Sequence, residues 1–186
     1  RDSYYAATDR LTLSGNFSYT ETEYGEDYFV FTVDDPINPV PVFGTFTQGF
    51  VSAQVTDPSQ ASDYTVNLKG GPLKGIPEEK ATIRVSYEQD TRFGPLYYLL
   101  SHSYTGDFSA SGIQRPLDRI DSRETTNLNI SWYSQDGNLS LRAYVDNLFD
   151  NDNYYALSTG DHETNYRKSV TALPPRVMGL DIRYRF

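Results

Sequence analysis

The 186-residue chain contains no cysteine, so a disulfide and a thiolate metal site are both excluded from its chemistry. Basic residues are also scarce. Sixteen lysines and arginines stand against 25 aspartates and glutamates, which gives a net charge of −9. A protein that binds nucleic acid usually carries a basic patch or stripe, so we expect no nucleic-acid partner.

Long apolar runs are missing as well. No segment approaches the ~20 consecutive apolar residues that a membrane-spanning helix needs, which excludes helical spans. Membrane-spanning strands stay open, because in a β-barrel only every second residue faces lipid. The chain is rich in aromatic residues, with 16 tyrosines and 10 phenylalanines, which fits strands and the aromatic girdles of membrane barrels. Composition alone leaves a water-soluble all-β domain equally open.

Two-residue alternation of apolar and polar side chains predicts six strands. It is clearest in Met178–Phe186, where one face is apolar and the other carries three charged residues and Gly179. In Pro95–Phe108 the alternation fails, because Tyr97–Leu100 is apolar on both faces, and the register of this strand stays open. The other predicted strands are Leu11–Tyr19, Ala81–Glu88, Thr126–Tyr133 and Leu139–Asp146.

The connections between these strands alternate in length. The short ones are Asp90–Gly94 and Gln135–Asn138, and the second contains an Asp-Gly hairpin signal. The long ones are Tyr24–Glu78, Ser109–Asp121 and Asn151–Leu173. Outer-membrane barrels have short turns on the periplasmic side and long loops outside, whereas a water-soluble sandwich has no reason to sort its loops this way. The sequence therefore predicts an all-β, antiparallel up-and-down transmembrane β-barrel.

Four motifs in order resemble TonB-dependent outer-membrane receptors. Val145–Asp150, followed by Asn153–Tyr155, resembles that family's V-x-N-L-F-D…Y signature. Pro175-Arg176 with the terminal Tyr184–Phe186 resembles its P-R…Y-x-F closing strand. Gly71–Pro77 resembles the G-x-x-L-x-x-x-P stretch, and Leu11–Tyr24 resembles L-T-L-S-x-x-Y-x-Y-T-x-x-E, with Phe17 where a tyrosine is usual.

The resemblance implies an outer-membrane active transport receptor, with extracellular loops that bind a scarce nutrient of the iron chelate, cobalamin or glycan class. The family barrel has about twenty-two strands around an N-terminal plug domain. Residues 1–186 would supply about the last six strands, with a periplasmic C-terminus, and the plug and earlier strands would lie outside this chain. The implied partners are outer-membrane lipid and lipopolysaccharide, the plug, the TonB energy-coupling complex, the barrel-assembly machinery and the nutrient.

The resemblance also assigns roles to single residues. Tyr184 and the terminal Phe186 match the signal read by the barrel-assembly machinery. The residues of the penultimate-strand signature are expected to be structural, because they stand where a strand meets its outer loop. This structural set is Asn147, Leu148, Phe149, Asp150, Tyr154 and Arg176.

A ligand site is expected in the first long connection. Between Leu11 and Leu68 there is no lysine or arginine, while eight acids and many aromatic residues are present. An acidic, aromatic outer loop favours cationic or metal-bearing ligands by its local potential. The alternative is a solvated loop that divalent cations bridge to lipopolysaccharide. The ligand-binding candidates are Tyr24, Tyr28, Phe29, Phe31, Phe43 and Phe46.

Catalysis, a metal site and a cofactor are not expected. The chain has two histidines, His102 and His162, and none of the spacings that mark a phosphate loop, a nucleophile elbow or a zinc helix. Three adjacent residues, Asp161–Glu163, do not converge on a metal without a special turn.

Two other architectures remain open from the sequence. A complete eight-stranded barrel suits 186 residues and would serve as an adhesin or a structural anchor. A water-soluble β-sandwich is the third possibility. The apolar faces separate these classes, because a barrel wall leaves them on one continuous outer surface whereas a sandwich buries them against each other.

Overall fold

A computed structural model describes residues 2–6, 8–31, 65–113, 116–159 and 167–186. These residues form thirteen strands and one turn of 3₁₀ helix, Pro116–Asp118. No helix in the described part of the chain is long and apolar enough to cross a membrane. The strands are β1 (Asp2–Ala6), β2 (Leu11–Tyr19), β3 (Phe29–Phe31), β4 (Thr65–Asn67), β5 (Glu79–Thr91), β6 (Gly94–Thr105), β7 (Phe108–Ser109), β8 (Arg119–Ile120), β9 (Arg123–Tyr133), β10 (Leu139–Asp146), β11 (Tyr154–Thr159), β12 (Lys168–Ala172) and β13 (Val177–Tyr184).

Seven of these strands form one antiparallel sheet in the order β1-β2-β5-β6-β9-β10-β13. Three small hairpins, β3–β4, β7–β8 and β11–β12, lie outside it. The six predicted strands are confirmed as β2, β5, β6, β9, β10 and β13. The seventh, β1, was not predicted, because five residues are too few to display an alternation. In the described residues β1 and β13 are the edges of an open sheet, so these strands do not close into a small barrel.

The boundaries differ from the prediction at the long-loop side of β6. The predicted strand ran to Phe108, but β6 ends at Thr105. Gly106 leaves the ladder there while its N–H still donates to the carbonyl of Glu79 at 2.8 Å. Phe108 instead begins the separate hairpin β7–β8. The neighbouring strand β5 is longer than Ala81–Glu88 at both ends. Its polar residues Lys80 at one end and Gln89–Thr91 at the other still pair with β6.

The connections sort by length onto the two ends of the sheet, as predicted. At one end, the short-turn end, residues 92–93 join β5 to β6 and residues 134–138 join β9 to β10. At the other end, the long-loop end, lie the described parts of the first loop (residues 20–78), the second loop (106–122) and the third loop (147–176). Gly94 closes one short turn with φ +122°, and a Cβ there would stand 1.9 Å from the carbonyl oxygen of Tyr133, so only glycine fits.

The register places the apolar side chains on one continuous face. Directly paired residues point to the same face of a sheet, and Leu141, Ala143 and Val145 of β10 pair with Ile182, Leu180 and Met178 of β13. This face is open: Met178 is 69% exposed and Ile182 is 65% exposed. The same face continues through Leu128, Ile130 and Trp132 of β9, Leu96, Tyr98 and Leu100 of β6, Ile83, Val85 and Tyr87 of β5, and Leu11, Leu13 and Phe17 of β2.

The pairing also settles the register of β6, which the sequence left open. Leu96, Tyr98 and Leu100 lie opposite Trp132, Ile130 and Leu128 and therefore belong to the apolar face. Tyr97 and Leu99 lie opposite Ser131 and Asn129 and belong to the other face. Both faces of this strand carry large apolar side chains because one tyrosine and one leucine stand on the polar side.

The face opposite the apolar one is polar and internally paired. Arg142 donates from Nη2 to the side-chain oxygen of Asn129 at 2.8 Å and lies 3.7 Å from a carboxylate oxygen of Asp181. Charged residues on this face are expected, since arginine facing lipid would cost about 2–4 kcal/mol at the bilayer midplane.

The sheet has no second layer over its apolar face in the described residues. Besides Pro77 of the first loop, the buried apolar side chains of the described residues are Leu68, which is 7% exposed, and Ile120, which is 2% exposed. Both lie at the long-loop end and not on the sheet. A sandwich would bury its Leu, Ile and aromatic residues between two sheets, so this arrangement excludes the sandwich for the described strands.

Candidate functional site

The long-loop end is the part of the described chain where loops pack against each other, and it holds those predicted ligand-binding residues that the structure describes. In the first loop Tyr24 and Tyr28 stack with ring centroids 5.5 Å apart and planes 28° apart. The hairpin β3–β4 holds them, since Gly70 N–H donates to the carbonyl of Tyr24 at 2.9 Å and Leu68 N–H to that of Tyr28 at 2.8 Å. Stacked aromatic pairs of this kind are rigid and present a broad face.

For the other four ligand-binding candidates the structure gives a backbone position or no position. The backbone of Phe29 and Phe31 forms β3, opposite Asn67 and Thr65 of β4. Phe43 and Phe46 lie outside the described residues. The structure therefore brings Tyr24 and Tyr28 together, and the assignment of all six as ligand contacts stays a prediction.

A carboxylate at the foot of this hairpin is held in its charged form. Asn67 Nδ2 donates to Asp27 Oδ1 at 3.0 Å, and Lys69 Nζ lies 3.1 Å from the same oxygen. The hydrogen bond from Asn67, reinforced by Lys69, lowers the pKa of Asp27 below its ordinary value of 3.8. The Asp27 carboxylate thus stays negatively charged, and its contacts with Asn67 and Lys69 fix the end of the β3–β4 hairpin.

The first and second loops touch at Gly112. A Cβ at this position would lie 3.1 Å from Leu68 Cδ1 and 3.5 Å from the hydroxyl oxygen of Tyr24. Leu68 is one of the buried apolar side chains named above, and Gly112 lies against it. The Tyr24–Tyr28 pair is therefore connected to the second loop through Leu68 and Gly112.

A cleft of about 580 Å³ separates the end of the first loop from the second loop. Its apolar wall includes Leu73, Ile76 and Phe108. Its charged groups are Glu78, Glu79 and Asp107, together with Arg119, which forms an ion pair with Asp107. A cleft with apolar walls and a few polar groups is the usual form of a small-molecule site. The arrangement can hold a ligand, and it contains no nucleophile–base pair for catalysis.

The second and third loops are joined by Asp118, a residue that sequence reasoning missed. Its side chain is 2% exposed and accepts a hydrogen bond from the Thr159 hydroxyl at 2.7 Å. A lone aspartate in a loop gives no periodic signal, and its partner is 41 residues away in the chain. Nothing in the sequence pattern pointed to this pair.

The penultimate-strand signature forms a turn around Asn147. This residue is 4% exposed and has φ +52°. Its Nδ2 donates to the carbonyls of Asn151 at 2.8 Å and Pro174 at 2.9 Å, and its Oδ1 accepts from the N–H of Asn151 at 3.0 Å. The turn is also bonded to β9, since Leu148 N–H donates to the carbonyl of Thr126 at 2.7 Å. One side chain thus ties the beginning of the third loop to its end.

The other residues of this signature surround the same turn. Asp150, with φ +58°, accepts from the N–H of Arg176 at 2.8 Å, just before β13. Phe149 and Tyr154 point outward and are 68% and 48% exposed. The contacts of Asn147, Leu148, Asp150 and Arg176 are all within the fold, and their structural role stays a prediction that this geometry favours.

At the end of the chain Tyr184 and Phe186 form an edge-to-face pair with ring centroids 5.2 Å apart. Both rings are exposed to the surroundings. Their proposed recognition by the assembly machinery is a separate expectation that the fold does not test.

The histidines do not form a metal or catalytic site in the described residues. His102 lies on the apolar face, where Nδ1 is 2.9 Å from the hydroxyl oxygen of Thr126. His162, with Asp161 and Glu163, lies outside the described residues. Within the described ranges no group of three or more His, Cys, Asp or Glu residues is placed to hold a metal ion.

These features together define the class of structure. An open antiparallel sheet with one continuous apolar face, a polar face opposite, short turns at one end and packed loops at the other is a section of a transmembrane β-barrel wall. Comparison with solved structures gives the same class and specifies the kind of barrel.

The chain is similar to several siderophore receptors of known structure. The ferric yersiniabactin uptake receptor FyuA from Yersinia pestis matches 100% of this chain with a TM-score of 0.68 at 16% identity. The siderophore receptor PiuA from Acinetobacter baumannii matches 97% with a TM-score of 0.64 at 11% identity. The ferric-catecholate import receptor Fiu from Escherichia coli K12 matches 98% with a TM-score of 0.50 at 15% identity.

This chain spans only a fraction of the length of these receptors: 22% of FyuA, 20% of PiuA and 26% of Fiu. No protein-family model matches the sequence, and no curated protein sequence matches it. At these identities the likeness is one of fold. The chain has the fold of part of the barrel wall of TonB-dependent siderophore receptors, and the resemblance that its motifs indicated is confirmed at that level.

Proposed function

We propose that this chain is part of an outer-membrane active transport receptor whose long loops bind a scarce nutrient outside the cell. The observation that carries the proposal is the continuous exposed apolar face, which lipid would cover, combined with the match of the whole chain to FyuA. Among the nutrient classes, iron chelates are favoured over cobalamin and glycans, because the three similar receptors are described as siderophore or ferric-chelate receptors.

In this proposal residues 1–186 are the C-terminal part of a larger barrel, and the polar face lines a lumen that a plug domain fills. The short-turn end and the C-terminus are periplasmic, and the three long loops are extracellular, where lipopolysaccharide surrounds them. Import draws energy through the TonB complex, which would engage a part of the receptor outside this chain. No catalytic step is proposed.

The proposal is tested by uptake in whole cells. Iron-starved cells that carry or lack the gene are given ⁵⁵Fe as one hydroxamate and one catecholate siderophore, and cobalamin is offered in parallel. We expect gene-dependent accumulation of at least one ferric siderophore, abolished when the TonB protein is removed. Accumulation that is the same with and without the gene for every compound would contradict the proposal.

Variants connect the uptake to the long-loop end. Replacing both Tyr24 and Tyr28 with alanine removes the stacked pair and should reduce uptake at limiting ligand more than at saturation. Phe93→Ala, which removes an exposed aromatic side chain from the opposite end of the sheet, is the matched control and should leave uptake unchanged. Equal effects of the two changes would argue against ligand capture by the first loop.

A further inference from the structure

Asp118 lies at the end of the 3₁₀ turn in the second loop and is the most deeply buried charged residue in the described part of the chain, at 1% exposure. A carboxylate without water around it is costly unless it is paired and hydrogen-bonded. The groups that pair with the Asp118 carboxylate therefore indicate its structural role.

Two of these partners come from the third loop. The Thr159 hydroxyl donates to Asp118 Oδ1 at 2.7 Å, and Lys168 Nζ lies 3.7 Å from the same oxygen. Lys168 Nζ also donates to the carbonyl oxygen of Leu117, the residue before Asp118. The ammonium group supplies the charge that the buried carboxylate needs, and the hydroxyl supplies a hydrogen bond.

The two partners are not independent positions on the third loop. Thr159 ends β11 and Lys168 begins β12, and they are directly paired in that hairpin. Both strands of the hairpin therefore contact the same carboxylate, which belongs to the second loop. A single contact of this kind restrains the whole hairpin, whereas a contact to one strand alone would leave the other free to fray.

Asp118 is fixed equally well on its own side. Its backbone carbonyl accepts from the N–H of Ala110 at 2.8 Å, and the next residues form β8, which pairs with β7. Ile120 of β8 is buried, at 2% exposure. The carboxylate is thus presented from a folded hairpin of the second loop and not from an extended segment.

We propose that Asp118 is a positioning residue that joins the second and third loops into one unit. Any rearrangement of the β11–β12 hairpin then has to carry the second loop with it or break an ion pair whose carboxylate is buried. The value of this unit for ligand capture, a fixed surface formed by two loops, depends on the proposed transport function. The coupling of the loops itself does not.

The coupling is tested by amide hydrogen exchange on the full-length receptor in detergent. Asp118→Asn keeps the shape of the side chain and removes its charge. We expect exchange of the amides in β7–β8 and in β11–β12 to become at least about tenfold faster, because local opening then no longer breaks an ion pair. Amides of β9 and β10 should keep their wild-type rates.

Asp107→Asn is the matched control, because Asp107 is an aspartate of the same loop whose ion pair with Arg119 is exposed. Exposed pairs contribute little, so this variant should leave exchange in both hairpins unchanged. The proposal is overturned if the β11–β12 amides of the Asp118→Asn variant exchange as slowly as those of the wild type. It is also overturned if Asp107→Asn and Asp118→Asn accelerate exchange in the hairpins equally.

Thr159→Val and Lys168→Met probe the same contact from the third loop if Asp118→Asn does not fold. Each should accelerate exchange in the second loop as well as in its own hairpin, and acceleration confined to β11–β12 would overturn the proposal. Uptake of ⁵⁵Fe-siderophore by the same variants separates the two claims. Coupled exchange without any uptake by the wild type refutes the transport function only, and uptake without coupled exchange refutes the role of Asp118 only.

Discussion

At the start of the third loop, Asn147 combines a left-handed backbone with a nearly complete set of side-chain hydrogen bonds. Asparagine tolerates a positive φ better than other residues with a Cβ, since its short amide can bond locally. The sequence motif located this residue, but the partners could not be predicted. Pro174 is 27 positions away, and only the folded loop brings its carbonyl to the Asn147 amide.

Replacing Asn147 with alanine should destabilise the folded protein by about 2–3 kcal/mol. The change leaves the Asn151 N–H and two carbonyls without their partners and keeps a strained φ. Denaturant unfolding of the native protein in detergent measures the difference. Asp152→Ala, an exposed position of the same loop, should change the free energy of unfolding by less than about 0.5 kcal/mol. Equal losses in the two variants would refute the role given to Asn147.

Gly179 shows a different constraint, this time on the polar face of the sheet. It pairs with Tyr144, whose ring lies across it, and a Cβ at Gly179 would stand 2.5 Å from the ring and its hydroxyl. The absence of a side chain at Gly179 therefore leaves room on β13 for the Tyr144 ring of the neighbouring strand β10. Arg142 lies over the same ring, 5.1 Å from its centroid.

Gly179→Ala should cost about 1–3 kcal/mol, because the Tyr144 ring must leave its position. The Tyr144→Ala background removes the clash, so the same glycine change should cost much less there. A double-mutant cycle of unfolding free energies measures this coupling. Strictly additive losses would show that the ring does not depend on Gly179.

At the scale of elements, strand positions could be predicted wherever the two faces of a strand meet different surroundings. β13 and β10 alternate cleanly because one side is apolar and the other polar along their whole length. β6 carries apolar side chains on both faces, so only pairing with β9 decides which residues share the apolar surface. Loop contacts such as Asp118 with Thr159 join positions that no local pattern relates, and sequence reasoning had no access to them.

The β3–β4 hairpin in the first loop should loosen at acid pH. Hydrogen bonding to Asn67 and the charge of Lys69 lower the pKa of Asp27 in the folded state. A depressed carboxyl pKa stabilises the folded form above the unfolded pKa, and this contribution is lost as the pH falls through the folded value. Protection factors of the Leu68 amide, measured between pH 6 and pH 3, should therefore decrease below about pH 4.

Asp27→Asn is the control for this titration, because asparagine accepts a hydrogen bond but carries no charge. Its hairpin should be less protected than the wild type at pH 6 and should show no further decrease over the same range. A wild-type hairpin whose protection is independent of pH would contradict the role of the Asp27 carboxylate.

At the scale of the whole molecule, the seven-stranded sheet needs partners on both of its faces and at both of its edges. In the described residues its apolar face is uncovered, and its polar face carries charge pairs such as that of Arg142 with Asp181. Unpaired strand edges are not tolerated in a bilayer, so the proposed barrel needs further strands to complete its wall. Lipid outside and protein or water inside satisfy both faces.

Site-directed spin labelling reports the two faces directly, and the chain contains no cysteine of its own to interfere. Labels placed singly at Leu128 and Ile130 should collide frequently with dissolved oxygen, which concentrates in lipid. Labels at Asn129 and Ser131 should not, since the register puts them on the opposite face. The measurement uses the native protein in bilayers. The absence of a two-residue period in oxygen accessibility would contradict a membrane-spanning wall.

The most direct test of the central claim is the intact mass of the native protein from an outer-membrane fraction, identified through the peptide Ala143–Tyr155. We expect a mass several times the 21.1 kDa of this chain, because the chain spans only 20–26% of the length of the similar receptors. A native mass near 21.1 kDa would contradict it and would move the protein to the class of small closed barrels.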